Sequence, residues 1–405
     1  MSDDPRIGAR LAGRYEIRRV VADGGMGRVY EGVDKQTDTR IALKLLHDDV
    51  AKDDIALERF KREYETSAKL PHDYIVQVLD FQNDPSSGAW ILVMEFLEGE
   101  ELRYILKREK YLAPERVVRM LSQVAYALDA THEQSLVHRD LKPDNLFLCG
   151  TREGDITKIL DFGSVKDKSS QAKKLTVLGT TIGSPYYMSP EQAQGLDTLD
   201  GRADVFALAA VAYECVTGSV PFTGNNGPSI LLSILTKDPI PPSEKGKDAP
   251  IPPPPTLDDV MEVALAKNMN IRTKSVGELA DIFGRAYGLE GDHYAWATTS
   301  QEELADRIAV ARPRVMAAKA VPLETAADPF AASPAGSGAG SPTYGQPPRA
   351  AAMAMDDAFA AIRTDGYDDA MGVPQRGRPA WMLPVIIGLA ALFVGGGLTF
   401  ALMMR

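Results

Sequence analysis

Up to Met94, hydrophobic residues recur mostly at every second position, in short runs broken by polar turns. Tyr15 to Val21, Arg28 to Asp34 and Ile41 to Leu46 show this alternation, the period of a strand with one face buried. Val76 to Phe81 and Trp90 to Met94 predict two more strands. One segment among them has a different period. From Asp53 to Leu70, the residues Ile55, Leu57, Phe60, Tyr64 and Ala68 fall at helical spacing, and Pro71 closes the run. Beyond Glu101 the helical period dominates. Pro114 to Gln134 sets Val117, Val118, Leu121, Val124, Ala125 and Leu128 on one face, and Val205 to Val216 is apolar nearly all round, as a buried helix is. Five strands and a helix, then a mostly helical region, predict an α+β body of two lobes over residues 15–287, behind a tail of residues 1–14.

The pattern changes after Tyr287. Ser300-Gln301-Glu302-Glu303 predicts the capped start of one short helix reaching about Val310. From Ala326 to Gly377 the chain is rich in Ala, Pro, Gly and Ser, which bury too little apolar surface to offset the entropy of ordering. Residues 288–380 therefore read as a largely disordered, flexible juxtamembrane linker. Trp381 to Met404 then holds no charged residue, and a helix of that length reaches about 36 Å, enough to cross a hydrocarbon core of about 30 Å. Arg376 and Arg378 precede this span and Arg405 follows it, a bias that places the body on the cytoplasmic side. The expectation is a single-pass C-terminal anchor, in a bacterial inner membrane.

Composition narrows the function classes. The 405 residues carry a net charge of -11, which argues against a nucleic-acid partner. The two cysteines, Cys149 and Cys215, lie far apart without metal-ligand spacing, which excludes a disulfide scaffold and fits a reducing compartment. The start, Met1-Ser2-Asp3-Asp4-Pro5, lacks the basic and apolar regions of a secretory signal.

Three groups of residues carry the chemistry. Gly24-Gly25-Met26-Gly27-Arg28-Val29 lies between two predicted strands, where glycines let backbone amides close over phosphates. In Ile41-Ala42-Leu43-Lys44, Ala42 and Lys44 share one strand face, so a small residue leaves room for a flat base while the ammonium reaches a phosphate. Glu63, on the following helix, is placed to pair with Lys44. The third group is His138-Arg139-Asp140-Leu141-Lys142-Pro143-Asp144-Asn145, followed by Asp161-Phe162-Gly163. Phosphoryl transfer asks mainly for positioning and charge neutralisation. Asp140 supplies a carboxylate for a hydroxyl proton, Lys142 a cation for the moving group, and Asn145 and Asp161 hard oxygens for Mg²⁺.

On these motifs the chain resembles the protein kinase superfamily from about Tyr15 to Tyr287, and most of all the eukaryotic-like Ser/Thr kinases of bacteria, whose glycine loop often reads Gly-Gly-Met-Gly. The resemblance implies a two-lobed kinase fold and an ATP- and Mg²⁺-dependent transfer to Ser or Thr hydroxyls of protein substrates. It implies ATP held by Val21, Ala22, Asp23, Gly24, Gly25, Met26, Gly27, Arg28, Val29, Ala42 and Lys44, with adenine against the backbone of Glu95 and Leu97 after a gatekeeper Met94. It further pairs Glu191 with Arg272, and ties the catalytic loop to Asp204. Ser/Thr specificity follows from Lys142 and from Ser184 in Gly183-Ser184-Pro185, both read by resemblance.

The chain departs from the family at Ala22, where a first loop glycine is expected, and at Asp23, a carboxylate that would repel phosphate if turned inward. These two positions support the alternative of a pseudokinase serving as a membrane-tethered scaffold. The intact set of Lys44, Asp140, Asn145 and Asp161 opposes it. A third reading, a small-molecule phosphotransferase, is opposed by the long segment from Asp161 to Glu191. Arg139 beside Asp140 invites a phosphate on the activation segment, so Thr176, Thr180 and Thr181 are candidates for autophosphorylation in trans, and phosphothreonine-reading domains are candidate partners. Ala391, Gly395 and Thr399 recur every four residues, a stripe that would permit pairing of two membrane helices into a homodimer.

Overall fold

The strand period of the N-terminal part becomes one antiparallel sheet. The computed structural model describes residues 4–25, 27–47, 50–161, 185–196 and 198–318. Strands β1 (Arg10–Leu11), β2 (Tyr15–Asp23), β3 (Gly27–Asp34) and β4 (Thr39–Leu46) are followed by helix α1 (Asp54–Ser67), then β5 (Val78–Asn83) and β6 (Trp90–Glu95). The sheet order is β1-β2-β3-β4-β6-β5. Alternation decides the faces. In β4, Ile41, Leu43 and Leu45 are buried against Tyr15, Ile17, Tyr30, Ile91 and Val93, which turns Ala42 and Lys44 to the opposite side. There the sheet packs with α1, through Phe60, Val78 and Leu92.

The second lobe begins with β7 (Glu100–Glu101), α2 (Leu102–Glu109) and α3 (Pro114–Glu133), then β8 (Leu146–Thr151) and β9 (Gly154–Ile159). Strands β7, β8 and β9 form a small sheet in that order. Helices α4 (Pro190–Ala193), α5 (Arg202–Thr217), α6 (Gly227–Thr236), α7 (Pro242–Lys245), α8 (Thr256–Ala264), α9 (Val276–Ala286), α10 (His293–Thr298) and α11 (Gln301–Ala317) complete it. Helix α5 is buried along almost its whole length, as its unbroken apolar run predicted. It forms the centre of one large core with α3, α8 and α9.

Three expectations need correction. The first lobe has a six-stranded sheet where five strands were expected, because Arg10–Leu11 pairs with Tyr15 and Glu16. The expected tail, residues 1–14, is built into this lobe from Asp4 onward: Gly8 donates to Ile17 O, Ile17 donates to Ala9 O, and Leu11 is buried. The expected linker begins too early. Residues after Tyr287 form α10 and α11, whose Trp296, Leu304, Ile308 and Val315 are buried, and Gln123 of α3 donates to Ala297 O at 3.1 Å. Ser300 caps α11 by accepting from Glu303 N, as its sequence predicted, but the helix runs on to Ala317 through Pro313. All of this lies in one compact unit, Met1–Ala327, and Asp328–Arg405 separate as a second unit outside the described residues. Among the described residues no helix is long and apolar enough to cross a membrane, and the predicted span 381–404 lies beyond them.

Candidate active site

The face of β4 that carries Ala42 and Lys44 forms one wall of a cleft of about 240 Å³. Val21, Ala22 and Val29 line it from the first two long strands, Met94 to Leu97 from the end of β6 and the connection after it, and Asn145, Phe147, Leu160 and Asp161 from the second lobe. An apolar slot with a few polar groups at one end suits a flat base and its charged tail. Val76, Phe147 and Leu160, which the sequence reading did not single out, give the slot its apolar lining. The signal for Phe147 was its place two residues after Asn145, on a strand whose next residue, Leu148, is buried on the other side.

At the polar end, Lys44 Nζ donates to both oxygens of Glu63, at 2.9 and 2.8 Å, and lies 4.0 Å from Asp161 Oδ2. Glu63 reaches this point because α1 buries it on the face that packs against the sheet. Burial opposes the charge on Lys44, but the carboxylates of Glu63 and Asp161 outweigh it and hold the ammonium above the ordinary lysine range. The lysine is thus a fixed cation aimed into the cleft.

The loop before β8 gathers the other candidates. Lys142 Nζ donates to Asp140 Oδ2 at 2.7 Å, and Asn145 Nδ2 donates to Asp140 O at 2.6 Å. Committing the nitrogen of Asn145 in this way leaves its carbonyl oxygen, with the Asp161 carboxylate, to face a cation. Among the described residues no group of three or more His, Cys, Asp or Glu side chains could hold a metal alone. Two oxygen ligands beside a phosphate-sized space still suit Mg²⁺, which keeps waters and shares phosphate oxygens. Both Arg139 and Asp161 take positive φ, 69° and 56°, a strained conformation for residues with side chains and one that clusters at functional sites.

That strain is held from beneath. Asp204, fully buried at the start of α5, accepts from His138 N and Arg139 N at 2.8 Å each, and its Oδ2 lies 2.8 Å from His132 Nε2. Burial would raise its pKa, but the donors from His132 and Arg139 outweigh it and keep Asp204 below the usual carboxylate range. Glu191 forms a buried two-pronged pair with Arg272, at 2.7 and 3.0 Å, so both contacts inferred by resemblance are present. Gln192 Nε2 donates to Arg139 O at 2.7 Å and joins α4 to the same loop.

The glycine segment closes as a hairpin, with Gly24 N donating to Gly27 O at 3.0 Å. Of its predicted residues, Val21, Ala22 and Val29 face the cleft, while Asp23, Gly24, Gly25, Gly27 and Arg28 are not among those lining it. Asp23 pairs with Arg28, whose Nε donates to it at 2.9 Å, and His47 Nε2 lies 3.2 Å from its other oxygen. Engaged by Arg28 and His47, its carboxylate is not among the groups that line the cleft, where it would have repelled phosphate. Glu95 and Leu97 line the cleft, and Glu95 N donates to Gln77 O at 2.9 Å, so the Glu95 carbonyl is the group offered to a base. Met26, Phe162, Gly163, Ser184 and the threonines Thr176, Thr180 and Thr181 lie outside the described residues.

Comparison with known proteins agrees with this geometry. A family model described as "Protein kinase domain" matches residues 15–280. The chain is 37% identical over 282 residues to serine/threonine-protein kinase PknA of Mycobacterium tuberculosis, covering 68% of this chain and 62% of that protein. It is 37% identical over 268 residues to serine/threonine-protein kinase pkn3 of Myxococcus xanthus, covering 65% of this chain and 48% of that protein. With PknB of M. tuberculosis it shares 34% over 273 residues, 67% of this chain and 42% of that protein. It thus spans under two thirds of each of these relatives. The crystal structure of the M. tuberculosis PknI kinase domain superposes with a TM-score of 0.51 at 29% identity, covering 69% of this chain and 97% of that domain.

Proposed function

This chain belongs to the protein kinase family, and from that premise we propose that it is a membrane-anchored Ser/Thr protein kinase of the bacterial, eukaryotic-like kind, transferring the ATP γ-phosphate to Ser and Thr hydroxyls of protein substrates. One observation carries the reading: Lys44 with its Glu63 partner, Asp161 and Asn145 line a single cleft, and Asn145 is hydrogen-bonded to Asp140 at its edge. In this scheme Lys44 binds and orients the phosphates. Asp140 accepts the acceptor hydroxyl's proton as that oxygen bonds to the γ-phosphorus and the bond to the β-phosphate oxygen breaks. Lys142, 2.7 Å from Asp140, offsets negative charge gathering beside it. Family members work with ATP and a divalent metal, generally Mg²⁺, which supplies charge neutralisation at the phosphates when bound.

The finer parts of the reading rest on sequence. The uncharged stretch from Trp381 to Met404 supports a single span, and Arg376 and Arg378 support a cytoplasmic kinase domain at a bacterial inner membrane. Arg139, next to Asp140, supports activation by a phosphate on Thr176, Thr180 or Thr181, delivered by a second copy of the chain.

Incubation of wild-type chain and Asp140→Asn with radiolabelled ATP, magnesium and a basic protein acceptor tests this. Transfer by wild type, with loss of about a thousandfold or more in the variant, is the expected result. Nucleotide binding without any transfer by wild type would move the protein to a scaffold role.

A further inference from the structure

The outer edge of the first lobe carries a network that the transfer reaction does not use. Asp4 lies in the N-terminal arm, yet its side chain is 2% exposed. Its Oδ1 accepts from Arg6 N at 2.9 Å, and its Oδ2 accepts from Tyr30 Oη at 2.8 Å and from Arg28 Nη1 at 2.6 Å. Burial would raise the pKa of Asp4, but these donors outweigh it and hold the carboxyl below its ordinary range. Arg28 therefore has two carboxylate partners. Nη1 goes to Asp4, while Nε and Nη2 go to Asp23 on the neighbouring strand, at the position directly across the hairpin. His47, just past β4, completes the bracket. Its Nε2 donates to Gly24 O at 2.9 Å and lies 3.2 Å from Asp23 Oδ1.

Asp23, Gly24 and Arg28 are the residues on either side of the hairpin tip that would cover the triphosphate. A hairpin tip rich in glycine has little stiffness of its own, since glycine carries the largest backbone freedom. Here the stiffness comes from side chains at its base, anchored through Arg28 to a buried acid 24 residues away in sequence. The same network keeps the Asp23 carboxylate occupied at the cleft mouth.

We propose that the N-terminal arm is a positioning element for the nucleotide: Asp4, acting through Arg28, fixes the base of the phosphate lid and holds Asp23 aside from the triphosphate. Asp4 touches no reacting group and is a positioning residue. The inference rests on the reading of the cleft as an ATP site.

The test compares the full chain carrying Asp4→Asn with Tyr30→Phe. Asparagine at position 4 removes the carboxylate charge, ending the ion pair with Arg28 and leaving an amide NH2 to face one of the donors around it, whereas phenylalanine at 30 removes a different partner of Asp4 and leaves the ion pair in place. For Asp4→Asn, the Kd for ATP with magnesium, and KM for ATP, should rise about five- to tenfold with kcat changed less than twofold, the size expected when part of one charge-assisted hydrogen bond is lost. Tyr30→Phe should lower the melting temperature without that rise. ATP affinity unchanged in Asp4→Asn, or weakened equally in Tyr30→Phe, would overturn the proposal. Hydrogen exchange in the nucleotide-free protein supplies a second readout: amides of the β2–β3 tip should exchange faster in Asp4→Asn, and unchanged exchange there would equally overturn it. Failure of the wild type to bind ATP at all would strike the kinase reading instead, and the exchange comparison would still decide the arm's role.

Discussion

At the scale of single residues, the glycines of the phosphate loop are not equivalent. A Cβ on Gly27 would press into the Leu45 carbonyl of the adjoining strand, well inside van der Waals contact, whereas one on Gly25 would meet nothing within 4 Å. Gly27→Ala is therefore expected to cost about 1–3 kcal/mol of stability by overpacking against backbone, while Gly25→Ala costs well under that. Chemical denaturation of both variants checks the contrast. A second residue-scale prediction concerns acid. Asp34, at the end of β3, accepts from Arg14 Nε at 2.8 Å and Nη2 at 2.6 Å, and this pairing, against some burial, lowers its pKa to about 2. A carboxylate whose folded pKa lies below its unfolded value contributes stability at higher pH and loses it as pH falls. That contribution is complete above about pH 4 and fades toward pH 2. Melting temperatures of Asp34→Asn should lie below wild type at pH 7 and converge on it by pH 2; a constant gap would show that the carboxylate's charge is not what matters. The chemistry-bearing residues were legible at this scale because Lys44, Asp140, Asn145 and Asp161 stand in short motifs whose spacing is local. Asp23 was not. Which way its carboxylate turns depends on Arg28 and His47, partners that no local spacing specifies.

At the scale of elements, periodicity placed α1 within three residues and α3 within one of their observed ends, because each carries apolar residues at sustained helical spacing. It failed where a face is assembled from short pieces. Strands β8 and β9 bury only two residues each, Leu146 and Leu148 in one and Thr157 and Ile159 in the other, so their alternation is too brief to stand out. Helix α10 was absorbed into the linker and α11 was expected only as one short helix to about Val310, because the Ala- and Pro-rich stretch downstream dominates the composition. Yet Leu304, Ile308 and Val315 sit at helical spacing, and a tryptophan in an otherwise small-residue run was the available signal. Trp296 is fully buried against Gly284 of α9 and its Nε1 donates to Glu290 O at 3.2 Å. Trp296→Ala should cost about 3–5 kcal/mol, the range for emptying a buried tryptophan site. A chain ending at residue 287 should lose at least that much, while one ending at 318 should melt with the full-length protein. Equal melting of the 287 and 318 forms would mean that α10 and α11 are an ornament of the fold.

At the scale of the whole molecule, residues 319–380 lie in sequence between the kinase body and the proposed membrane span. Catalytic bodies anchored to a surface, as proposed here, would share a layer in which encounters between copies depend on surface density instead of bulk concentration. This matters for the proposed phosphorylation of Thr176, Thr180 or Thr181 in trans, which would be a second-order step. For a chain ending at 318, kept free in solution with added ATP and magnesium, the initial rate of autophosphorylation per molecule should fall in proportion to dilution. The full-length chain in vesicles, diluted as vesicles at constant lipid-to-protein ratio, should keep its rate per molecule. A rate that scales with vesicle dilution would mean that the tether does not bring two active sites together. A dilution-independent rate for the soluble form would mean that each copy modifies itself, and the role of Arg139 as receiver of a phosphate delivered by a neighbour would then be replaced by transfer within one chain.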